Sequence, residues 1–198
     1  MKSRRQILLI TCLSAVVLMT AVLVISYRPR VTQSRIRRSL PNATQVRNKE
    51  LLRQLGQAYS YMENGNMAAA EKNVLNILRE RPHHTMAKQL QGEIYYRTER
   101  YEEAEKVYRE ILSNNDFDAS AYNNLGQTLW RMGKNEEALK QLLRSRELNP
   151  NNMVVYINLS VVYAALNQHE KAREMFMAAH RQLLEKQRKT EPVQEMAR

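Results

Sequence analysis

The sequence has few of the residues that build small secreted, metal-bound or β-rich proteins. Among 198 residues there is one cysteine, Cys12. A single thiol excludes a disulfide within the chain and a cysteine-based zinc site. Five glycines and five prolines are sparse for a chain rich in β-turns and suit helices joined by short loops. His83 and His84 adjoin, but no third ligand lies near them in sequence, and a structural zinc takes four. The P-loop, nucleophile-elbow and H-E-x-x-H patterns are all missing. His169-Glu170 begins like the last of these, but Arg173 stands at the final His position. No acid, base and nucleophile can be brought together from this inventory. The expectation is a protein that is not an enzyme, with no cofactor and no metal.

Acidic residues are also missing from the first 49 positions. Ten Lys/Arg and only Glu50 fall within residues 1–50, out of a net charge of +11 for the chain. Residues beyond Glu50 are close to neutral, so nucleic-acid binding by the folded part is not expected. After a short basic stretch (1–6), Ile7–Ser26 runs without a charge. Twenty helical residues span about 30 Å, the thickness of a bilayer core. This segment (7–26) reads as a transmembrane signal anchor. A removed signal peptide is the competing reading, although such apolar cores are usually shorter. Lys2, Arg4 and Arg5 on one side face Arg28, Arg30, Arg35, Arg37 and Arg38 on the other, so the positive-inside rule leaves the orientation open. The linker 27–48 carries those five arginines and could hold anionic lipid headgroups.

The remainder has a period of 34 residues. Ala58, Gly92, Gly126 and Ser160 form one column, and Ala70, Ala104, Ala138 and Ala172 another. Val74, Tyr108, Leu142 and Phe176 form a third, and Tyr61, Tyr95, Leu129 and Tyr163 a fourth. Four units follow without insertion: 51–84, 85–118, 119–152 and 153–186. Each holds two helical patterns around a polar break, near 49–63 and 67–80, 85–97 and 101–113, 119–131 and 135–147, and 153–165 and 169–187. A polar tail (188–198) with Pro192 ends the chain.

At Tyr122, Leu125, Gly126, Leu129, Ala138, Leu142 and Pro150, and again at Tyr156, Leu159, Ser160, Tyr163, Ala172 and Phe176, the chain resembles the tetratricopeptide repeat family. Asp116 and Leu184 depart from it where the closing proline would stand. The resemblance implies an all-α fold, a right-handed α-solenoid of four helix hairpins over 49–187, and a concave groove lined by the first helix of each unit. It further implies peptide or protein partners held at Met62, Tyr96 and Trp130, in one line, with Arg97 and Arg131 in the next and Gln127 nearby. Aromatic, Met and Arg residues are the ones interface cores favour. Asn124 and Asn158 resemble the asparagine ladder with which some members hold a peptide backbone. The competing roles are core packing for Met62 and Tyr96, helix packing for the two asparagines, and solvent exposure for the two arginines. Leu55, Tyr59 and Gln89 do not reproduce the carboxylate clamp of the chaperone-tail-binding members.

The fourth unit differs from the others. Val154, Ile157, Val161, Ala164 and Ala165 occupy columns that face the groove elsewhere, which makes this helix apolar almost all round. Such a face calls for a cover: the final helix, a second copy, or an apolar partner segment. Taken together, the expectation is a membrane-tethered scaffold that binds protein segments, with a homo-oligomer through unit four as an option. A bacterial inner-membrane protein of envelope biogenesis, secretion or pilus assembly is the setting expected by analogy. The alternative is lipid or nucleic-acid binding by the arginine linker, with the repeats serving to oligomerise.

Overall fold

The computed structural model describes residues 43–195, with side chains described from 46 to 188. The expected membrane segment 7–26 and most of the arginine linker lie outside the described residues. Among the described residues there are eight helices and no strand. They are α1 (Ala43–Glu63), α2 (Met67–Glu80), α3 (Thr85–Arg97), α4 (Tyr101–Asn114), α5 (Ala119–Arg131), α6 (Asn135–Leu148), α7 (Met153–Ala165) and α8 (His169–Glu195). No helix among the described residues is long and apolar enough to cross a membrane.

The helices pair as four hairpins stacked in chain order. Two helices depart from the sequence expectation. α1 begins at Ala43, ahead of the expected start, and α8 continues through Pro192 to Glu195. Pro192 was expected to interrupt the tail. Its missing N–H removes one ladder bond, and it does so in the last turn, where few remain to be lost.

The 34-residue period also fixes where helices start and stop. His84, Asp118 and Asn152 share one column, and each caps the first helix of its hairpin. Ala87 N–H donates to His84 Nδ1 at 3.2 Å, Ala121 N–H to Asp118 Oδ1 at 2.9 Å, and Val154 N–H to Asn152 Oδ1 at 3.1 Å. Each bond satisfies one of the amides left over at a helix start. Gly65, Glu99, Gly133 and Asn167 share another column, and all four adopt positive φ, from 59° to 76°. This left-handed residue closes the first helix of each hairpin. The next amide then reaches back to Tyr61, Tyr95, Leu129 and Tyr163 carbonyls at 2.8–2.9 Å. Glu99 alone carries a bulky side chain in that backbone conformation.

Buried apolar residues fall into two clusters. One joins α1–α3 through Leu55, Ala58, Met62, Val74, Ile77 and Ile94. The other runs from α4 to α8 and includes Tyr108, Leu125, Leu142, Leu159 and Met175. The small-residue column lets each hairpin close. A Cβ on Gly92 would lie 2.7 Å from the Tyr108 ring, and one on Gly126 would lie 2.6 Å from Leu142 Cγ.

Polar ties also repeat in register. Arg100 pairs with Glu71, and one period later Lys134 pairs with Glu105, both at 2.9 Å. The next pair in register would be Gln168 and Leu139, so hairpins 3 and 4 lack this tie. Ser145, fully buried, donates to the Ala119 carbonyl at 2.7 Å. The two ends of the array differ. Positions of α3, α5 and α7 that pack on the preceding hairpin are buried, as at Ala87, Ile94, Leu125, Val155 and Val162. Their counterparts on α1 are Arg53, Gln57 and Ser60, all exposed and polar.

Candidate peptide-binding groove

The first helices of the hairpins turn successive positions toward one side. On hairpins 1–3 this side forms a depression of about 500 Å³ lined by Leu52, Tyr59, Met86, Gln89, Glu93 and Asn124, among others. Leu52, Tyr59 and Met86 are each more than half exposed, which is costly to leave in water. Leu55 and Leu90 form its buried floor. Gln89 is oriented by a 3.1 Å bond to Asp118.

Next to it lies a second, more polar depression of about 320 Å³, lined by Glu93, Tyr96, Arg97, Tyr108, Asn124 and Gln127. Four of the expected groove residues meet here: Tyr96, Arg97, Asn124 and Gln127. Arg97 is held by Glu93 at 2.6 Å and Glu63 at 3.8 Å, so its charge is already balanced inside the groove wall. Burial raises the Tyr96 phenol, opposed by the positive Arg131. Burial also pushes the Tyr108 hydroxyl well above the ordinary tyrosine range, opposed in part by its hydrogen bond to Asn124. Both phenols therefore act as neutral hydrogen-bonding groups at neutral pH.

Trp130 is half-buried against the second core cluster. Arg131 lies over Tyr101 and Trp130, 5.4 and 5.9 Å from the ring centres. Its Nε and Nη2 donate to the Tyr101 hydroxyl at 2.9 and 2.7 Å, and that bond raises its affinity for the proton. The two arginines thus do not form a matched carboxylate clamp: one pairs with Glu93 and Glu63, the other with the Tyr101 phenol and, at 3.9 Å, with Glu99.

Met62 does not line the groove. It is 2 % exposed and belongs to the core of hairpin 1. It shares a column with Tyr96 and Trp130, but a flexible thioether at this position folds inward where two ring systems cannot.

The carboxamides form a relay rather than a two-rung ladder. Asn158 Nδ2 donates to Asn123 Oδ1 at 2.8 Å, and Asn123 Nδ2 donates to Asn124 Oδ1 at 3.1 Å. Asn123 is buried and was not among the expected residues. The relay ties hairpin 4 to hairpin 3.

On hairpin 4, Val154, Ile157 and Val161 are 48 %, 40 % and 37 % exposed, and Ala164 and Ala165 are exposed as well. α8 packs on the opposite side of α7, and no described helix covers this face. The groove side therefore runs from apolar (hairpins 1 and 2) through polar (2 and 3) to apolar (4). No cluster of three or more metal-ligating side chains occurs among the described residues.

Stacked hairpins with small-residue columns and a continuous groove side define a tetratricopeptide array. Two models described as tetratricopeptide repeat match residues 55–121 and 117–185, and the chain belongs to that family. Among solved structures it is similar to MamA, with TM-score 0.61 at 18 % identity, over 68 % of this chain and 79 % of that one. It is also similar to MamA from Desulfovibrio magneticus RS-1, with TM-score 0.61 at 20 % identity, over 67 % and 75 %. These likenesses concern the fold alone. Curated relatives include anaphase-promoting complex subunit 3 of Schizosaccharomyces pombe, 28 % identical over 44 % of this chain. Protein O-mannosyl-transferase TMTC3 of Mus musculus is 35 % identical over 35 %, and the Hsp70-Hsp90 organizing protein of Triticum aestivum 30 % over 44 %. The matched region spans only 13 %, 8 % and 15 % of those proteins.

Proposed function

We propose that this protein is a non-enzymatic scaffold that holds extended or helical segments of other proteins in its groove. The observation that carries this reading is the depression on hairpins 1–3, where Leu52, Tyr59 and Met86 stay exposed beside oriented polar groups. Exposed apolar anchors with polar groups at fixed positions are what a peptide site requires. The fitting ligand carries apolar side chains for Leu52, Tyr59 and Met86, then a polar stretch with hydrogen-bonding groups for Asn124 and Gln127. Tetratricopeptide arrays as a class present such concave surfaces to protein partners.

The apolar stretch 7–26 supports a membrane tether, with the arginine linker at the headgroups. Tethering raises the effective concentration of any partner in the same membrane, so modest groove affinity is enough. A bacterial inner membrane and a role in assembling an envelope complex belong to this reading. Photo-crosslinking in cells tests it. A photoreactive residue in place of Tyr59 is expected to capture discrete partner proteins, and one in place of Lys106, on the outer surface, is not. Equal or absent capture at both positions removes the proposal.

A further inference from the structure

We infer that Gly56 opens a notch in the groove that seats one large apolar side chain of the bound segment, and that a Lys or Arg close to that side chain pairs with Glu93. This rests on the groove reading above and names the chemistry of its ligand.

Glycine in a helix interior is unfavourable, so each one calls for a reason. Gly92 and Gly126 have theirs in the side chains that close over them. Gly56 has no such reason. It is exposed in the middle of α1, and a Cβ there meets no atom within 4 Å. At 3.6 residues per turn, Leu52, Gly56, Tyr59 and Glu63 fall on one face of α1. One period on, Met86, Leu90, Glu93 and Arg97 fall on the matching face of α3. Leu52 and Tyr59 stand exposed on either side of Gly56, with Leu55 and Leu90 buried beneath the same depression. The space that a side chain at 56 would fill is thus a gap with apolar walls. Glycine is the residue that lets a ligand come close to a helix backbone.

Charge selects what accompanies the apolar side chain. Among the described residues that line this depression, Glu93 is the one charged side chain. Arg97 pairs with Glu93 at 2.6 Å and with Glu63 at 3.8 Å. Two carboxylates therefore share one cation, and a negative charge is left over at this end of the notch. A Lys or Arg of the ligand answers it with a charge-assisted bond. An acidic segment meets like charge there, and a wholly apolar one covers the carboxylate without a partner. Leu90 and Glu93 lie about 4.5 Å apart along the helix axis. A basic residue roughly two to four positions from the seated side chain spans that distance in an extended or helical ligand.

A phage-displayed library of random peptides, selected on the full chain in lipid nanodiscs, tests this. Enriched sequences are expected to carry Phe, Trp, Leu or Met with a Lys or Arg within about four residues. The most enriched peptide, made with a fluorescent label, is then titrated by anisotropy. Gly56→Leu fills the notch and is expected to weaken binding about tenfold or more without lowering the melting temperature. Replacing the peptide's basic residue with Gln is expected to weaken its binding to the wild type about tenfold and to leave its binding to Glu93→Gln unchanged. A merely destabilised fold does not give that difference, so the comparison decides even if Gly56→Leu unfolds. Peptides that bind Gly56→Leu as tightly as the wild type, or that enrich without a basic residue, overturn this inference and leave the groove reading standing. A photo-crosslink from position 59 that joins two copies of the chain names another occupant and overturns it too. Enrichment of no peptide also overturns it, and capture at position 59 then decides whether the groove reading falls with it.

Discussion

Replacing Gly126 with alanine is a sharp test of the packing described above, because the intrinsic preference and the packing act in opposite directions. Alanine in a helix interior is favoured over glycine by about 1 kcal/mol. Its Cβ, however, would lie 2.6 Å from Leu142 Cγ, 2.9 Å from Cδ2 and 3.2 Å from the Ala138 carbonyl oxygen. Leu142 is fully buried, so its side chain has nowhere to turn, and the carbonyl belongs to the α6 backbone. Overpacking of this kind costs about 1–3 kcal/mol, toward the upper end here, leaving a net loss of about 1–2 kcal/mol. Gly56 provides the control, since a Cβ there meets no atom within 4 Å; Gly56→Ala is expected to stabilise by up to about 1 kcal/mol. Urea unfolding of the full chain followed by circular dichroism reads both. The cause is isolated in a Leu142→Ala background, where the Cγ and Cδ2 clashes are gone. There Gly126→Ala is expected to be neutral or stabilising, a coupling of about 2 kcal/mol between the two sites. If Gly126→Ala stabilises the wild type as much as Gly56→Ala does, the close approach of α5 and α6 is wrong.

Four further outcomes are expected. Glu99→Gly relieves a left-handed backbone that costs about 1 kcal/mol for a bulky residue, and raises the melting temperature despite loss of the distant 3.9 Å pairing with Arg131. His84→Ala removes the cap on α3 and costs about 1 kcal/mol, whereas His84→Asp keeps an acceptor for Ala87 N–H and is tolerated. Asn123→Ala leaves Asn158 Nδ2 without its acceptor and costs about 1–3 kcal/mol, with hydrogen exchange rising first in α7. Burial raises the Glu105 carboxyl, but the bonds from Lys134 and Arg109 outweigh it and hold the group below its ordinary value. A depressed folded-state value means that the contribution is present above the ordinary carboxylate range and is lost as pH falls through the folded value. Glu105→Gln should therefore flatten the acid limb of stability against pH while changing little at high salt and neutral pH.

The architecture was readable because the family spacing repeats without insertion. Columns such as Ala70–Ala104–Ala138 assign faces that one copy alone would leave undetermined. All four turns were readable as polar breaks, the one at Glu99 included; its positive φ was not, because its side chain gives no sign of it. The groove was only partly legible. The columns that single out Val154, Ile157 and Val161 on hairpin 4 also contain Leu52 and Tyr59 on hairpin 1, and Met86 shares the Val154 column. Applying them to every hairpin would have found the apolar depression. Met62 was misplaced because position in a column sets direction but not reach: a rigid Trp130 stays at the boundary while a Met folds under. The arginines were visible as charges, yet their partners Glu93, Glu63 and Tyr101 follow from the stacking of hairpins, which no single stretch of sequence displays. The relay through Asn123 was hidden for the same reason, since it joins side chains 35 residues apart.

The division of the core has a consequence for how the array yields under load. The two apolar clusters part between α3 and α4, inside hairpin 2 rather than between hairpins. The first three helices and the last five nonetheless share a broad boundary: Tyr95 and Tyr96 of α3 pack on the second cluster, Gly92 sits against Tyr108, and Lys88 pairs with Glu110. Pulled from its ends, such a chain is expected to give way in two force steps, one for each cluster, not in four equal ones. The polar depression at Glu93, Tyr96, Asn124 and Gln127 spans this boundary, so a segment bound there would act as a splint between the two clusters.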